Sequence, residues 1–236
     1  NTNTHQGMHT AQSNALIMNT GVVARFYFYC FLDKNDGPRA DRESNFGMVK
    51  GTFTSPLPYT VSYGAKPGYL ILGNMNMLYH DAEFTDCMEI GSTGRIVRCK
   101  SAADGKQTAM MFSNNSGGEL VTLDLGCDKV TLIDAYGNEK DVFGTKGIFS
   151  FSIDENIQYI QGDFKSFSRV VGGAYPTKTE FDAIYKDNIR IPIANYSGRA
   201  VYAKAEPMTG SGLKETQALI SGENGEIVLN NTGIIK

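Results

Sequence analysis

The spacing of apolar positions near the N-terminus is that of an amphipathic helix. Four apolar side chains recur there at intervals of four, three and four residues: Ala11, Ala15, Met18 and Val22. One buried face of an α-helix requires this spacing. The pattern therefore predicts a helix over residues 10–24, with Thr10 as the residue that caps its N-terminus.

The next apolar segment, residues 25–32, is aromatic and almost uninterrupted. A strand that is apolar on both faces is covered on both faces, as in a parallel sheet or a barrel. Residues 39–65 lack such a pattern and are expected to form a loop. A second helix should begin at Lys66-Pro67, because proline fits the first helical turn, and end near residue 80. The order helix, strand, loop, helix is that of a βα repeat.

Beyond residue 82 the pattern changes to short apolar runs separated by glycine-containing turns. The runs predict seven strands, over residues 83–90, 95–101, 107–113, 119–125, 128–135, 147–153 and 156–161. Several of them alternate apolar and polar residues, which is typical of half-buried antiparallel strands. Regularly spaced short strands indicate an antiparallel β-sandwich or barrel.

A glycine- and proline-containing stretch at residues 164–180 is interpreted as a linker. Four further short strands follow it, over residues 189–193, 200–205, 216–220 and 226–229. Four or five short strands are few for a complete sandwich. We therefore predict four regions: residues 1–81, a sandwich over 82–163, the linker, and a second β-rich domain over 181–236 that is incomplete.

Composition and charge exclude several classes of function. The 236 residues are 41% hydrophobic and 20% charged, which is typical of a globular chain. The formal net charge of −3 argues against a nucleic-acid partner. No apolar run approaches the roughly 20 residues that span a bilayer, so no membrane partner is expected.

The cysteines and histidines give little support for a metal site. The four cysteines have no Cys-x-x-Cys spacing. Cys87 and Cys99 flank a turn, so they could face each other as a disulfide, although reduced buried thiols are the favoured alternative. His5 and His9 lie four residues apart, but the predicted helix begins after them. We expect neither a metal nor a cofactor.

Polar residues are concentrated where the aromatic segment ends. Tyr29, Asp33 and Glu43 fall in this region, and the carboxyl end of a parallel strand is where barrel folds place their sites. Carboxylates bind sugar hydroxyls and aromatic rings stack on sugar rings. These three residues are therefore the candidate substrate-binding residues. The alternative is that Asp33 and Asp36 only form a tight turn.

Several short strings, taken in order, resemble a known enzyme family. They are Arg25-Phe26-Tyr27-Phe28-Tyr29 with Asp33, then Asn45-Phe46-Gly47-Met48-Val49, then Lys66-Pro67. This order resembles the closing segment of the catalytic barrel of clan-A glycoside hydrolases. Residues 130–138 and 157–163 resemble the last strands of the small β-sandwich that often follows that barrel. The resemblance covers roughly residues 9–163.

The resemblance implies a mainly β chain with a particular order of parts. An antiparallel β-sandwich would be preceded by a terminal βα piece of a (β/α)8 barrel and followed by a further, incomplete β-sandwich domain. In this family the last barrel strand ends in an aromatic residue and an aspartate near the substrate, as Tyr29 and Asp33 do here. Polysaccharides or oligosaccharides would be the ligands.

The catalytic residues implied by the resemblance are not found in this chain. These enzymes use two glutamates, about 5 Å apart in the retaining case, on barrel strands before the last one. The five glutamates between that strand and residue 150 fit neither role: Glu43, Glu83, Glu89, Glu119 and Glu139. We therefore expect a catalytic N-terminal portion ahead of Asn1, and a chain that is inactive alone and is a glycoside hydrolase only within a longer protein.

Two other classes of function are kept as alternatives. One is a self-contained carbohydrate-binding or adhesion module that stacks sugars on exposed tyrosines, with Tyr136, Tyr159, Tyr175 and Tyr185 as the candidates. The other is a purely structural surface module. The sequons at Asn114, Asn195 and Asn230 are compatible with the expected secreted, periplasmic or cell-surface location.

Overall fold

The fold was obtained as a computed structural model. It describes residues 2–23, 49–53, 61–115, 117–177, 188–197, 199–206 and 214–230. These residues form two helices, α1 (Thr2–Asn19) and α2 (Pro67–Leu78). Between and after the helices lie β1 (Val49–Phe53), β2 (Val61–Ala65), β3 (Ala82–Ile90), β4 (Gly94–Ser101), β5 (Gln107–Ser113), β6 (Glu119–Asp124), β7 (Lys129–Asp134), β8 (Glu139–Phe143), β9 (Ile148–Ile153) and β10 (Gln158–Gly162). The remaining strands are β11 (Ser168–Arg169), β12 (Ala174–Pro176), β13 (Asn188–Asn195), β14 (Val201–Ala205), β15 (Thr216–Ile220) and β16 (Asn224–Asn230).

The described strands form five sheets. The largest has six strands in the order β3-β4-β5-β10-β7-β8. Two three-stranded sheets have the orders β11-β6-β9 and β12-β13-β16, and β1-β2 and β14-β15 form two-stranded sheets. Every pairing whose register is described is antiparallel. The predicted fold class, a mainly β chain with antiparallel sheets, is confirmed.

The seven strands predicted between residues 82 and 163 are all present, with bounds that differ by at most two residues. The loop predicted over residues 39–65 is partly wrong, because β1 and β2 pair there. Strand β8 was also missed. It ends the six-stranded sheet, and its sequence Glu-Lys-Asp-Val-Phe has the charges typical of an exposed edge strand rather than an apolar alternation.

The chain divides into two compact units that interleave along the sequence. The first contains Asn1–Glu119, Thr131–Lys140 and Ile153–Gly162, and the second contains Leu120–Val130, Asp141–Ser152 and Asp163–Lys236. The boundaries proposed from the sequence at residues 81, 163 and 180 stay predictions.

In the first unit both helices pack on one face of the six-stranded sheet. Helix and strand residues share one core, formed by Met8, Ala11, Ala15, Ile71, Met75, Val97, Met110, Phe112, Ile133, Ala135, Ile157 and Tyr159. The predicted inward face of α1 is confirmed at Ala11 and Ala15, whereas Val22 lies beyond the helix and is exposed. The helical segment therefore belongs to the same folded body as the sheet.

Helix α1 begins earlier than predicted. The Thr10 hydroxyl does not cap the helix but donates a hydrogen bond of 2.8 Å to the carbonyl of Gln6, inside the helix. Threonine serves either role, because its hydroxyl can bond to the carbonyl four residues back. His5 and His9 are therefore helical residues.

The two helices are in close contact at a pair of glycines. A Cβ atom on Gly7 would lie 2.4 Å from the Cα atom of Gly68. Any side chain at Gly7 would thus force the two backbones apart. This contact fixes where α2 crosses α1.

Strand β5 is buried on both faces. Met110 and Phe112 belong to the core beneath the helices, while Ala109 and Met111 point to the opposite face and are fully buried as well. Alternate side chains of a strand point to opposite faces. Side chains on both faces of β5 are therefore buried.

The second unit buries Leu123 and Phe149 of β6 and β9, and it has a small apolar cluster in its C-terminal strands. Ile193, Ile220 and Ile227 form a buried group that is surrounded mainly by alanines and partly buried aliphatic residues. Strands β6 and β9 are joined by a hydrogen bond of 2.8 Å between the hydroxyls of Thr122 and Ser150.

Three described cysteines, Cys87, Cys99 and Cys127, are free thiols. In the β3–β4 ladder Cys99 lies opposite Phe84, and Cys87 lies opposite Val97, so the two cysteines are not a cross-strand pair. Burial raises the pKa of the Cys99 thiol to about 12. Cys87 and Cys99 are therefore reduced thiols in this hairpin and do not form the disulfide considered from the sequence.

Candidate functional site

The three substrate-binding residues predicted from the sequence, Tyr29, Asp33 and Glu43, lie outside the described residues, and so does the aromatic strand that precedes them. Their roles stay predictions. The candidate site that the described residues do form is a surface on the helix pair of the first unit.

The helix pair carries no Asp, Glu, Lys or Arg. Neither α1 nor α2 contains one of these residues, although they make up 20% of the chain. A helix on the surface of a globular protein normally places charged and polar residues on its outer face. The absence of charge is therefore unusual for elements at a protein surface.

Helix α2 has large apolar side chains on its outer side as well as on its inner side. Its inner residues Ile71 and Met75 are buried in the shared core. On the other side Leu70 and Met77 are 52% and 81% exposed. Gly73 lies between them in the helical repeat, and a Cβ atom there would meet nothing within 4 Å. We call Leu70, Gly73 and Met77 the α2 stripe.

The α2 stripe is held in a fixed orientation by contacts on the inner side of the helix. The Asn74 amide donates hydrogen bonds to the carbonyls of Asp134 (3.1 Å) and Ala135 (3.4 Å). At the end of the helix, the Tyr79 hydroxyl donates to the carbonyl of Val97 at 3.3 Å. The exposed apolar surface is thus presented by a rigid element.

The turn that receives Asn74 is itself stabilised by a carboxylate. Asp134 accepts hydrogen bonds from the backbone N–H groups of Tyr136 and Asn138 and from the Asn138 amide, at 2.7–2.9 Å. Burial opposes ionisation of Asp134, but these hydrogen bonds outweigh it and lower the pKa of the carboxyl group. Asp134 therefore organises the turn on which α2 rests.

His5 and His9 lie on one face of α1, with their ring centroids 6.3 Å apart. His5 Nδ1 is 3.8 Å from a carboxylate oxygen of Glu155. Within the part of the chain that the structure describes, no three His, Cys, Asp or Glu side chains are grouped to hold a metal ion. When His5 is protonated, it forms a solvent-exposed ion pair with Glu155.

Glu119 is a partly buried carboxylate between two turns of the six-stranded sheet. Its Oε1 atom accepts hydrogen bonds from the hydroxyls of Thr93 (2.7 Å) and Ser113 (2.9 Å). A Cβ atom on Gly91 would lie 2.7 Å from Oε2 of the same carboxylate. These contacts fasten two turns together and leave no space for a substrate beside Gly91.

The tyrosines proposed for sugar stacking differ in exposure. Tyr136 is 44% exposed, whereas Tyr159 is 0% exposed and cannot contact a ligand, so its selection from the sequence was wrong. Tyr175 is partly buried, and Tyr185 lies outside the described residues. Tyr159 belongs to the core beneath the helices, and the next residue, Ile160, is fully buried as well.

Sequence reasoning also missed the α2 stripe as a surface. The sequence predicts the helix that carries Leu70 and Met77 but not which of its residues are exposed. The signal that could have identified them is the absence of charged residues over Pro67–Leu78. An amphipathic surface helix would carry charged and polar residues on the face opposite its apolar stripe. Among the described residues, no helix combines the length and apolar character needed to cross a membrane.

No protein-family model matches the chain, and no curated protein matches it. Among solved structures, the chain is similar to a family 39 glycoside hydrolase from the gut symbiont Bacteroides cellulosilyticus WH2, with a TM-score of 0.42 and 20% sequence identity. The similarity covers 55% of this chain and 24% of that chain, so the match spans about a quarter of the length of that enzyme.

Proposed function

We propose that this chain is the non-catalytic C-terminal portion of a carbohydrate-active, glycoside hydrolase-like enzyme, and that the α2 stripe packs against a catalytic portion ahead of Asn1. The observation that carries the proposal is the exposed apolar surface of an uncharged helix pair. Fully burying a Leu or Met side chain stabilises a structure by roughly 1.5–3 kcal/mol. Because Leu70 is 52% and Met77 81% exposed, an interface over them would recover part of that stabilisation for each side chain.

The positions of the strings that resemble clan-A glycoside hydrolases support the proposal. Helix α2 begins at Pro67 with Lys66 as its N-cap residue, as the resemblance expects of the closing barrel helix. The two strings assigned to the accessory sandwich fall on β7 and β10, which are paired antiparallel neighbours. In this proposal the sheet provides a rigid base for the helices, and its role is structural.

The chemistry would be performed by carboxylates outside this chain. Tyr29, Asp33 and Glu43 would contribute to binding a polysaccharide or oligosaccharide at the end of the barrel. A secreted, periplasmic or cell-surface location is part of the proposal. Of the three sequons, the one at Asn195 would not be glycosylated in the folded protein, because its amide is buried and donates two hydrogen bonds to backbone carbonyls.

The first experiment is the intact mass of the protein as its source produces it. A mass well above 25.8 kDa, with additional sequence ahead of Asn1, supports the proposal. A mass of 25.8 kDa contradicts it and favours the alternative, a self-contained carbohydrate-binding or adhesion module. Hydrolysis of a glycoside by the isolated chain also contradicts it.

A second experiment tests the interface itself. In the isolated chain, Leu70→Lys with Met77→Lys should leave the melting temperature nearly unchanged, since both side chains are exposed. In the longer native protein the same pair should lower it by several degrees, because two charges would be buried. The matched control is Val171→Lys, at another exposed apolar residue. Equal effects in the two proteins would exclude the interface.

A further inference from the structure

A cleft in the second unit has the features of a binding site for a small ligand. Its volume is about 410 Å³, within the roughly 300–1,000 Å³ of small-molecule sites. It is lined by Leu120, Ala194, Asn195, Tyr196, Glu223 and Asn224. These residues come from the start of β6, the end of β13 and the turn between β15 and β16. All of them belong to the second unit.

The base of the cleft is fixed by Asn195. Its amide nitrogen donates hydrogen bonds to the carbonyls of Arg199 (2.9 Å) and Gly222 (3.0 Å). Its amide oxygen accepts from the N–H and the hydroxyl of Ser197. Its backbone N–H donates to the carbonyl of Glu223 at 2.7 Å. The turn that carries Glu223 is therefore held in place before any ligand arrives.

The aromatic wall of the cleft is anchored at both ends. The backbone N–H of Tyr196 donates to the carbonyl of Gly173 at 2.7 Å. At the other end of the side chain, the Tyr196 hydroxyl accepts a hydrogen bond of 3.0 Å from Thr122. With its polar ends engaged, Tyr196 offers an apolar ring of fixed position to the cleft, beside Leu120.

The polar groups at the opening are unengaged. The side chains of Glu223 and Asn224 are exposed, and neither forms a hydrogen bond or ion pair with another described residue. The cleft thus combines a carboxylate with acceptor sites, an amide with both donors and an acceptor, and an apolar ring. Among the described residues that line it, none is Lys or Arg.

We propose that this cleft binds one pyranose unit of a neutral sugar. The C–H face of a pyranose would lie against the Tyr196 ring, while its hydroxyls donate to the Glu223 carboxylate and exchange hydrogen bonds with the Asn224 amide. The carboxylate, with no cation beside it, disfavours anionic ligands. This site goes beyond the structural role proposed above and does not depend on a catalytic portion.

The experiment is saturation-transfer difference NMR on the full 236-residue chain, with methyl glucoside, galactoside, mannoside and xyloside as probes. Glucuronic acid and glucosamine serve as an anionic and a cationic probe. At least one neutral glycoside should bind, and Glu223→Gln and Asn224→Ala should each weaken its affinity at least tenfold. The matched control is Tyr136→Ala, which removes an exposed tyrosine outside the cleft and should leave the affinity unchanged.

Three results overturn the proposal. One is the absence of binding by every neutral glycoside, and another is affinity that survives both cleft variants. The third is binding of glucosamine alone, which would assign the cleft to a cationic ligand. Glu223 and Asn224 are exposed, so both variants should fold, and an unchanged melting temperature verifies this. The intact-mass experiment bears only on the catalytic portion, so the two proposals can fail separately.

Discussion

The helix-covered core of the first unit and the C-terminal core of the second are built differently. The first joins twelve buried residues, including Phe112 and Tyr159, into one cluster. The C-terminal cluster groups only Ile193, Ile220 and Ile227, and four of its six partly buried neighbours are alanines. Since apolar burial is the dominant favourable contribution to folding, the two regions cannot be stabilised in the same way. The C-terminal region must rely more on polar contacts.

The polar contacts of the C-terminal region contribute unequally to its stability. Lys204 bridges Glu206 at 2.6 Å and Glu215 at 3.1 Å, and Arg190 contacts Glu226. All these side chains are largely exposed, and exposed ion pairs contribute little to stability. Asn195, in contrast, is buried and satisfies several backbone groups at once. The first unit thus has a large apolar cluster beneath its helices, whereas the C-terminal strands depend on the buried amide of Asn195.

The largest expected effect is in the apolar cluster. Phe112→Ala should reduce the free energy of unfolding by about 3–5 kcal/mol, because it leaves a cavity among tightly packed side chains. Urea unfolding followed by circular dichroism measures it. Phe143→Ala is the control, since Phe143 is 55% exposed and its loss should change stability by less than about 0.5 kcal/mol. Equal effects would mean that the cluster is not the centre of stability.

The next largest effect should be a loss of stability that is confined to the C-terminal strands. Asn195→Ala should destabilise the C-terminal strands by about 2–3 kcal/mol, since it leaves buried backbone groups without partners. Amide hydrogen exchange should accelerate in β13 and β16 and stay unchanged in β4 and β5. Asn76→Ala is the control, because Asn76 is exposed on α2. Uniform acceleration over both regions would show that they unfold together.

The parts predicted well from the sequence depend on local signals. Strands β5 and β15 occur at their predicted bounds because their apolar runs end at turn-forming residues. The start of α2 was predicted because Pro67 fixes the first helical turn. The start of α1 was missed because Thr10 can cap a helix or bond within it, and only the packing of Gly7 on Gly68 decides between these roles.

The candidate sites were not predictable in the same way. The cleft combines Leu120 with Tyr196 and Glu223, which are distant in sequence and meet only through strand pairing and the contacts of Asn195. The α2 stripe depends on which side of an uncharged helix faces the sheet, and apolar residues occur on both sides of α2. Periodicity identifies elements, but it cannot show which distant elements meet.

A third prediction tests the helix contact of the first unit. Gly7→Ala should lower the free energy of unfolding by about 1–3 kcal/mol, because the new methyl group overlaps the backbone of Gly68. The control is Gly73→Ala on the exposed side of α2, which should stabilise the protein by up to about 1 kcal/mol through helix propensity. Thermal unfolding of both variants shows whether each substitution raises or lowers the stability. A stabilising Gly7→Ala would show that the helices are not in close contact.

The smallest effect compares the same atomic change in both regions. The Tyr159 hydroxyl is buried and has no hydrogen-bond partner among the described residues, so Tyr159→Phe should be neutral or stabilise by up to about 1 kcal/mol. The Tyr196 hydroxyl accepts a hydrogen bond from Thr122, so Tyr196→Phe should destabilise by about 0.5–1.5 kcal/mol. Urea unfolding of the two variants measures the difference. Opposite signs follow if the helix-covered core depends on apolar burial and the contacts of Tyr196 are polar, whereas a loss of stability in Tyr159→Phe would reveal a polar contact in the helix-covered core.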